Sequence, residues 1–165
     1  MTGPSLIPPE GRALTADEHA TLMNEMAVII AQSALFKSLS EEARADVMAS
    51  GYVCAFAEGA TILEQGNRGD TMYLVLNGTV SVTAFHSDAN FDLGDLGRGA
   101  CVGEVSVITG NPRTATVVAK TAVDLVAFKA HRIHRMLDEN PKVRAMLESL
   151  IEGRAHDALS KMVGP

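Results

Sequence analysis

The chain has 165 residues, 47% of them apolar and 21% charged, with a formal net charge of -6. That length suits one domain with a proper core, the composition excludes global disorder and fibrous repeats, and the acidic balance works against a broad nucleic-acid surface. No apolar run approaches a membrane span, and the start MTGPSLIPPEGRAL lacks the basic head and apolar core of a secretory signal, so a cytoplasmic protein is expected.

Pro4, Pro8 and Pro9 mark residues 1–15 as a loose arm. N-terminal helices are expected over 16–50. Thr15 with Glu18 three positions on forms a capping signal, and Leu22, Met26, Ile29 and Ile30 then fall on one helical side. A break near Ser33 to Leu39 leads to Ser40, whose hydroxyl can cap a helix over Glu41 to Ala49.

From 51 to 128 the texture changes to short strands punctuated by glycine: YVCAF, TILEQ, MYLVL, TVSVTAF, FDLGDL, TATVVAK and VDLVAF. Glycines at such turn-like spacing are what an antiparallel barrel or sandwich would require. Asn77-Gly78 is the expected hairpin turn between MYLVL and TVSVTAF, because both residue types tolerate positive φ. Cys54 and Cys101 sit in apolar segments without metal-ligand spacing and read as small buried hydrophobes. Over 129–162 the helical period returns: AHRIHRMLDEN is closed by Pro141, and the next helix carries a stripe of Val143, Met146, Leu147, Leu150 and Ile151, weakened at Gly153. The fold class is mainly β with flanking helices.

Chemistry interrupts the core pattern within 102–116. The stretch GEVSVITGNPRTATVVA sets Glu104 and Arg113 nine positions apart around a Gly-Asn-Pro turn. Gly103 lets the backbone approach a ligand, and a short helix over Glu104 to Ile108 would present amide hydrogens without intrahelical acceptors to an anion. Arg113 supplies a rigid five-donor fork suited to phosphate. A carboxylate beside that site would accept hydrogen bonds from a sugar hydroxyl, so the pair reads as the two poles of a nucleotide monophosphate. The alternative is a salt bridge between Glu104 and Arg113 across a surface turn.

The order Gly103-Glu104, Val105 to Ile108, Thr109-Gly110-Asn111-Pro112 and Arg113-Thr114-Ala115 resembles the phosphate-binding cassette of the cyclic nucleotide-binding domain family. The resemblance implies an antiparallel β-roll, or jelly roll, covering roughly 36–128, with no reaction catalysed in the domain. It also implies that Glu104 takes the ribose 2′-hydroxyl and Arg113 the cyclic phosphate, with amides near Val105, Ser106 and Ala115 completing the anion site. Val102 and Ser106 stand where the family often has an aromatic residue and an alanine; Ser106 either adds a phosphate donor or faces solvent. The Thr114 hydroxyl resembles that of members that bind cyclic GMP, where it meets the guanine 2-amino group, yet it is also compatible with cyclic AMP, which is slightly favoured.

The resemblance further implies that the helices over 130–139 and 142–160 move with the ligand. Leu147, Leu150 and Ile151 then either cap the base or pack on the roll or a second subunit. A module of this kind signals through a separate effector protein, and the stripe around Leu22, Met26 and Ile29 either packs on the roll, forms a homodimer or meets that effector. The stretch after Phe128 is too short for an added DNA-recognition helix, so direct nucleic-acid binding is not expected. His131 and His134 lack the ligands of a metal site, and Asp88, Asp92 and Asp95 lack the closing glutamate of a calcium loop and read as a solvated hairpin tip. The competing functional class is a protein-interaction module that keeps the roll without binding a ligand.

Overall fold

In a computed structural model, residues 11–163 are described apart from 13, 33–35 and 38. The prolines of the expected arm and most of the break before Ser40 lie outside the described residues. In chain order the elements are β1 (Gly11–Arg12), α1 (Ala16–Gln32), α2 (Glu41–Ser50), β2 (Gly51–Phe56), β3 (Thr61–Leu63), β4 (Thr71–Asn77), β5 (Val80–His86), β6 (Ala89–Leu96), β7 (Cys101–Val102), α3 (Glu104–Thr109), β8 (Thr116–Ala119), β9 (Val123–Lys129), α4 (Ala130–Glu139) and α5 (Pro141–Val163).

The helix boundaries follow local chemistry. Thr15 N donates to Glu18 Oε1 at 3.2 Å while Glu18 N donates to Thr15 Oγ1 at 3.1 Å, a reciprocal capping box that opens α1. Ser40 Oγ accepts from Ala43 N at 3.1 Å and caps α2. Pro141 both halts α4 and begins α5, since its missing N–H costs nothing in a first helical turn.

The strands form two antiparallel sheets, one in the order β1-β2-β9-β4-β7 and one in the order β3-β8-β5-β6. The five-stranded sheet lies between the helices and the other sheet, and alternation along its strands serves two separate cores. Met72, Leu74 and Leu76 of β4 join Leu22, Met26, Ile30, Phe36 and Leu137 on the helical side. Tyr73 and Val75 point the other way and join Val80, Val117 and Leu125 between the sheets. Phe128 and Leu125 of β9 divide in the same manner. Each such fully buried aliphatic or aromatic side chain contributes about 1.5–3 kcal/mol, so a strand buried on both faces is apolar without a break. The α1 stripe is thus covered by the chain's own core.

Asn77-Gly78 corrects an expectation. β4 pairs with β9 and β7, whereas β5 pairs with β6 and β8, so this turn carries the chain from one sheet to the other and closes no hairpin. Gly78 has φ 88°, and a Cβ there would meet Ala122 O at 2.3 Å. Asn77 instead uses its amide, donating to Glu25 of α1 and, at 3.2 Å, to Asp124 Oδ2 of β9. The two-residue hairpin is Ser87-Asp88, with φ 51° and 62°, joining His86 to Ala89 across β5 and β6. Gly11–Arg12, expected within the loose arm, pairs with Phe56 and Ala55 at the sheet edge.

Cys54 and Cys101 are free and buried. Burial first, and Asp124 second, push the Cys54 thiol up to about 12; burial and Glu104 push Cys101 to about 12 against the opposing pull of Arg154. Both thiols therefore keep their protons well above their ordinary value of 9.0 in the folded chain. Neither cysteine should react with iodoacetamide at pH 8.5 until denaturant is added, as mass spectrometry would record. The linked stability is complete below about pH 9 and declines as pH rises toward 12, because only the unfolded chain releases these protons there; the unfolding temperature should fall across that window.

Candidate functional site

β7 is one of the two edge strands of the five-stranded sheet, and the chain leaves it through Gly103 at φ 84°. A Cβ on Gly103 would lie 2.8 Å from Thr71 O and 2.9 Å from Arg113 Nη1. Glycine is what allows α3 to begin this close to β4. The helix ends at Gly110, φ 74°, whose N–H donates to Ser106 O at 2.8 Å. Thr109 Oγ1 then donates to Val105 O at 2.7 Å and accepts from Asn111 N at 3.1 Å, shaping the loop toward Arg113.

Arg113 is held by backbone on two sides. Its N–H donates to Asn67 O at 2.8 Å, its carbonyl accepts from Gly66 N at 2.9 Å, and Thr116 Oγ1 accepts from Gln65 N at 3.1 Å, so the loop before β4 is fastened to the strand after the cassette. The residue is 7% exposed. Nη1 donates to Gly103 O at 3.1 Å and Nη2 to Thr71 O at 2.8 Å. Gly69 completes the cradle: a Cβ there would come within 2.5 Å of Nη2 and 2.8 Å of Cζ. Burial lowers the guanidinium's pKa, opposed by Tyr73, Asp70 and Glu104, and an arginine remains charged throughout. Two of its five N–H groups serve these carbonyls.

Glu104 and Arg113 do not pair with one another, so the reading of a salt bridge across a surface turn gives way. Glu104 is 3% exposed and its Oε1 accepts from Arg154 Nη1 of α5 at 2.5 Å. Arg154 Nη1 also donates to Cys101 O. The first turn of α3 carries amides without intrahelical acceptors beside this carboxylate and the arginine. Together they place a buried cation, a buried carboxylate and the start of α3 around the Gly103 turn.

Of the other predicted site residues, Val105 and Ala115 are half-buried, Thr114 is exposed, and Ser106 is buried and does not face solvent. Leu147 is sealed in the helical core with Val143, Ile151 packs against its rim, and Leu150 is 36% exposed. Leu147 thus has no surface to offer a ligand in this arrangement. His131 is exposed on α4, and the three aspartates serve the β5–β6 hairpin: Asp88 in its turn, Asp92 accepting from Gly94 N at 2.9 Å, and Asp95 pairing with Lys120 at 2.5 Å. Sequence reading missed Gly69, Thr71 and Arg154 as parts of the site. The glycines of EQGNRGDT were a signal for the first; Arg154, fifty positions from Glu104, had none.

A family profile described as the cyclic nucleotide-binding domain matches residues 53–140. Among solved structures, the N-terminal domain of a transcriptional regulator from Streptomyces coelicolor is 29% identical with a TM-score of 0.62, covering 81% of this chain and 94% of that one. A cyclic nucleotide-binding domain from Methylobacillus flagellatus is 23% identical, TM-score 0.73, covering 94% and 89%. The regulatory domain of Toxoplasma gondii PKA, crystallised with cAMP, is 23% identical, TM-score 0.70, covering 80% of this chain, which spans about half (51%) of that one. Among the described residues no helix is long and apolar enough to cross a membrane.

The two glycines against Arg113 should respond differently to alanine. Gly103→Ala meets a backbone oxygen and a left-handed φ, so the unfolding temperature should drop by several degrees, a loss of about 1–3 kcal/mol. Gly69→Ala keeps an ordinary φ but pushes the buried guanidinium off the carbonyls of Gly103 and Thr71, so its unfolding temperature should drop by less than that of Gly103→Ala while the Arg113 Nε–H resonance shifts in NMR spectra.

Proposed function

This chain belongs to the cyclic nucleotide-binding domain family, and from that premise we propose that it is a cytoplasmic sensor whose cassette binds a cyclic nucleotide and repositions the terminal helices to regulate a separate effector protein. The observation that carries the reading is the cradle of Arg113: a buried guanidinium fixed on Gly103 O and Thr71 O and pressed by two glycines. A phosphate is bound best by a fork that is pre-aimed and shielded from water, and this cradle supplies both. Charge-assisted hydrogen bonds from the remaining N–H groups take the cyclic phosphate, and the amides opening α3 add donors to it. Glu104, buried at the head of the same helix, accepts from the ribose 2′-hydroxyl.

The bound molecule is recognised and left unchanged, in keeping with a family of regulatory modules that do no catalysis. We place cyclic AMP slightly ahead of cyclic GMP. Thr114, exposed beside Arg113, is the residue through which cyclic GMP would gain an advantage by a hydrogen bond to the guanine amino group.

Calorimetric titration of nucleotide-free protein with each cyclic nucleotide tests the reading. Wild type should bind, and Arg113→Ala and Arg113→Lys should both weaken binding by about 100-fold or more, since charge-assisted bonds are worth about 1.5–3 kcal/mol each. Absence of binding by a verified fold would instead favour the protein-interaction module. Thr114→Ala should lower cyclic GMP affinity about fivefold relative to cyclic AMP if the hydroxyl meets the guanine amino group; an unchanged ratio removes that role.

A further inference from the structure

β8 lies between β3 and β5 in the four-stranded sheet. Its register with β5 runs from Val80 opposite Ala119 to Thr83 opposite Thr116, and there the pairing stops. Just before that stretch, Lys120 N donates to Thr79 O at 2.9 Å. Hydrogen-bonded positions recur every second residue along an antiparallel pair, so Ser81, Thr83 and Phe85 are the positions of β5 whose N–H and C=O face β8. Continued pairing would set Thr114 opposite Phe85. β8 begins only at Thr116, however, and the chain before it belongs to the cassette.

A side chain fills the vacated position. Phe85 N donates to Gln65 Oε1 at 2.7 Å, and Gln65 Nε2 donates to Phe85 O at 3.0 Å. A carboxamide carries the same donor and acceptor as a peptide group, so Gln65 serves β5 as one residue of a neighbouring strand. It stands two residues beyond the end of β3 and reaches across the gap where β8 gives out. Its backbone is held as well. Gln65 N donates to Thr116 Oγ1 at 3.1 Å, Gly66 N to Arg113 O at 2.9 Å, and Arg113 N to Asn67 O at 2.8 Å. The loop fastened in this way carries Gly69 to the guanidinium, where an added Cβ would fall 2.5 Å from Arg113 Nη2.

We propose that Gln65 is a positioning residue for the nucleotide site: its carboxamide takes the place of Thr114 on β5, which lets residues 113–115 leave the sheet while the loop that presses Gly69 on Arg113 stays fixed to it. The role presupposes that the cassette binds a cyclic nucleotide, and Gln65 acts on that ligand only through Arg113. Without the carboxamide, Phe85 turns to water or draws Thr114 back into the ladder, and either change slackens the hold on the arginine next to it.

Gln65→Met keeps the length of the side chain and removes both polar ends. Calorimetry should give about fivefold weaker binding of cyclic AMP and cyclic GMP than wild type, a fraction of what two hydrogen bonds hold. In NMR spectra of the nucleotide-free protein the Arg113 Nε–H resonance should move in Gln65→Met, a response that a general loss of stability does not produce. Gln65→Glu keeps the acceptor for Phe85 N–H but sets a carboxylate oxygen against Phe85 O; it should show both effects, and it decides the matter should Gln65→Met fail to fold. Wild-type affinity in the folded variants, or weaker binding with an unmoved Arg113 resonance, overturns the positioning role and leaves the nucleotide site standing. Absence of binding by folded wild type overturns the nucleotide reading and this role with it.

Discussion

A sheet with water on one face can alternate apolar and polar residues, but a sheet between helices and a second sheet has no wet face. The five-stranded sheet is of this second kind, and the rest of the fold follows from it. β4 and β9, at its centre, divide their side chains between two cores, Met72, Leu74, Leu76 and Phe128 toward the helices and Tyr73, Val75 and Leu125 toward the other sheet. Polar chemistry is excluded from that interior and collects where the layers end. The β7 edge is such a place, and Gly103 turns the chain there into the cassette.

At that edge the protein keeps two charged side chains nearly out of water, which is costly unless each is fully engaged. Arg113 is satisfied by the carbonyls of Gly103 and Thr71, Glu104 by Arg154. The two arrangements differ in permanence. The partners of Arg113 are backbone atoms of a turn and a central strand, fastened further by the ties of Gly66, Asn67 and Gln65 to residues 113–116. The partner of Glu104 is a long side chain on the C-terminal helix.

Much of this was legible in the residues. Capping at Thr15 and Ser40, the core stripe of α1, the strand-rich middle and the helical close all rest on interactions between residues a few positions apart, as does the hairpin tip among the aspartates. Gly103, Glu104 and Arg113 stood out because the order from Gly-Glu to Arg-Thr-Ala resembles a family's cassette, whereas spacing alone left a salt bridge between Glu104 and Arg113 open. The misreading of Asn77-Gly78 has a physical origin. A local turn signal says that the chain bends, while the strand it leads into is chosen by which face needs covering, and here Val80 was needed in the second core. Gly11–Arg12 likewise pairs with β2 only because that edge of the sheet is within reach.

The sequence by itself determined the elements, the two-sided apolar strands and the chemical identity of a carboxylate and a guanidinium flanking a short helix, since these depend on neighbours along the chain. Tertiary structure alone decided that Arg113 would lie on Thr71 and under Gly69, that Leu147 would be closed into the core, and that Arg154 would take Glu104. Those pairings join residues up to fifty positions apart. Such contacts are set by how three layers stack and how much surface each must bury, and neither periodicity nor spacing encodes the result.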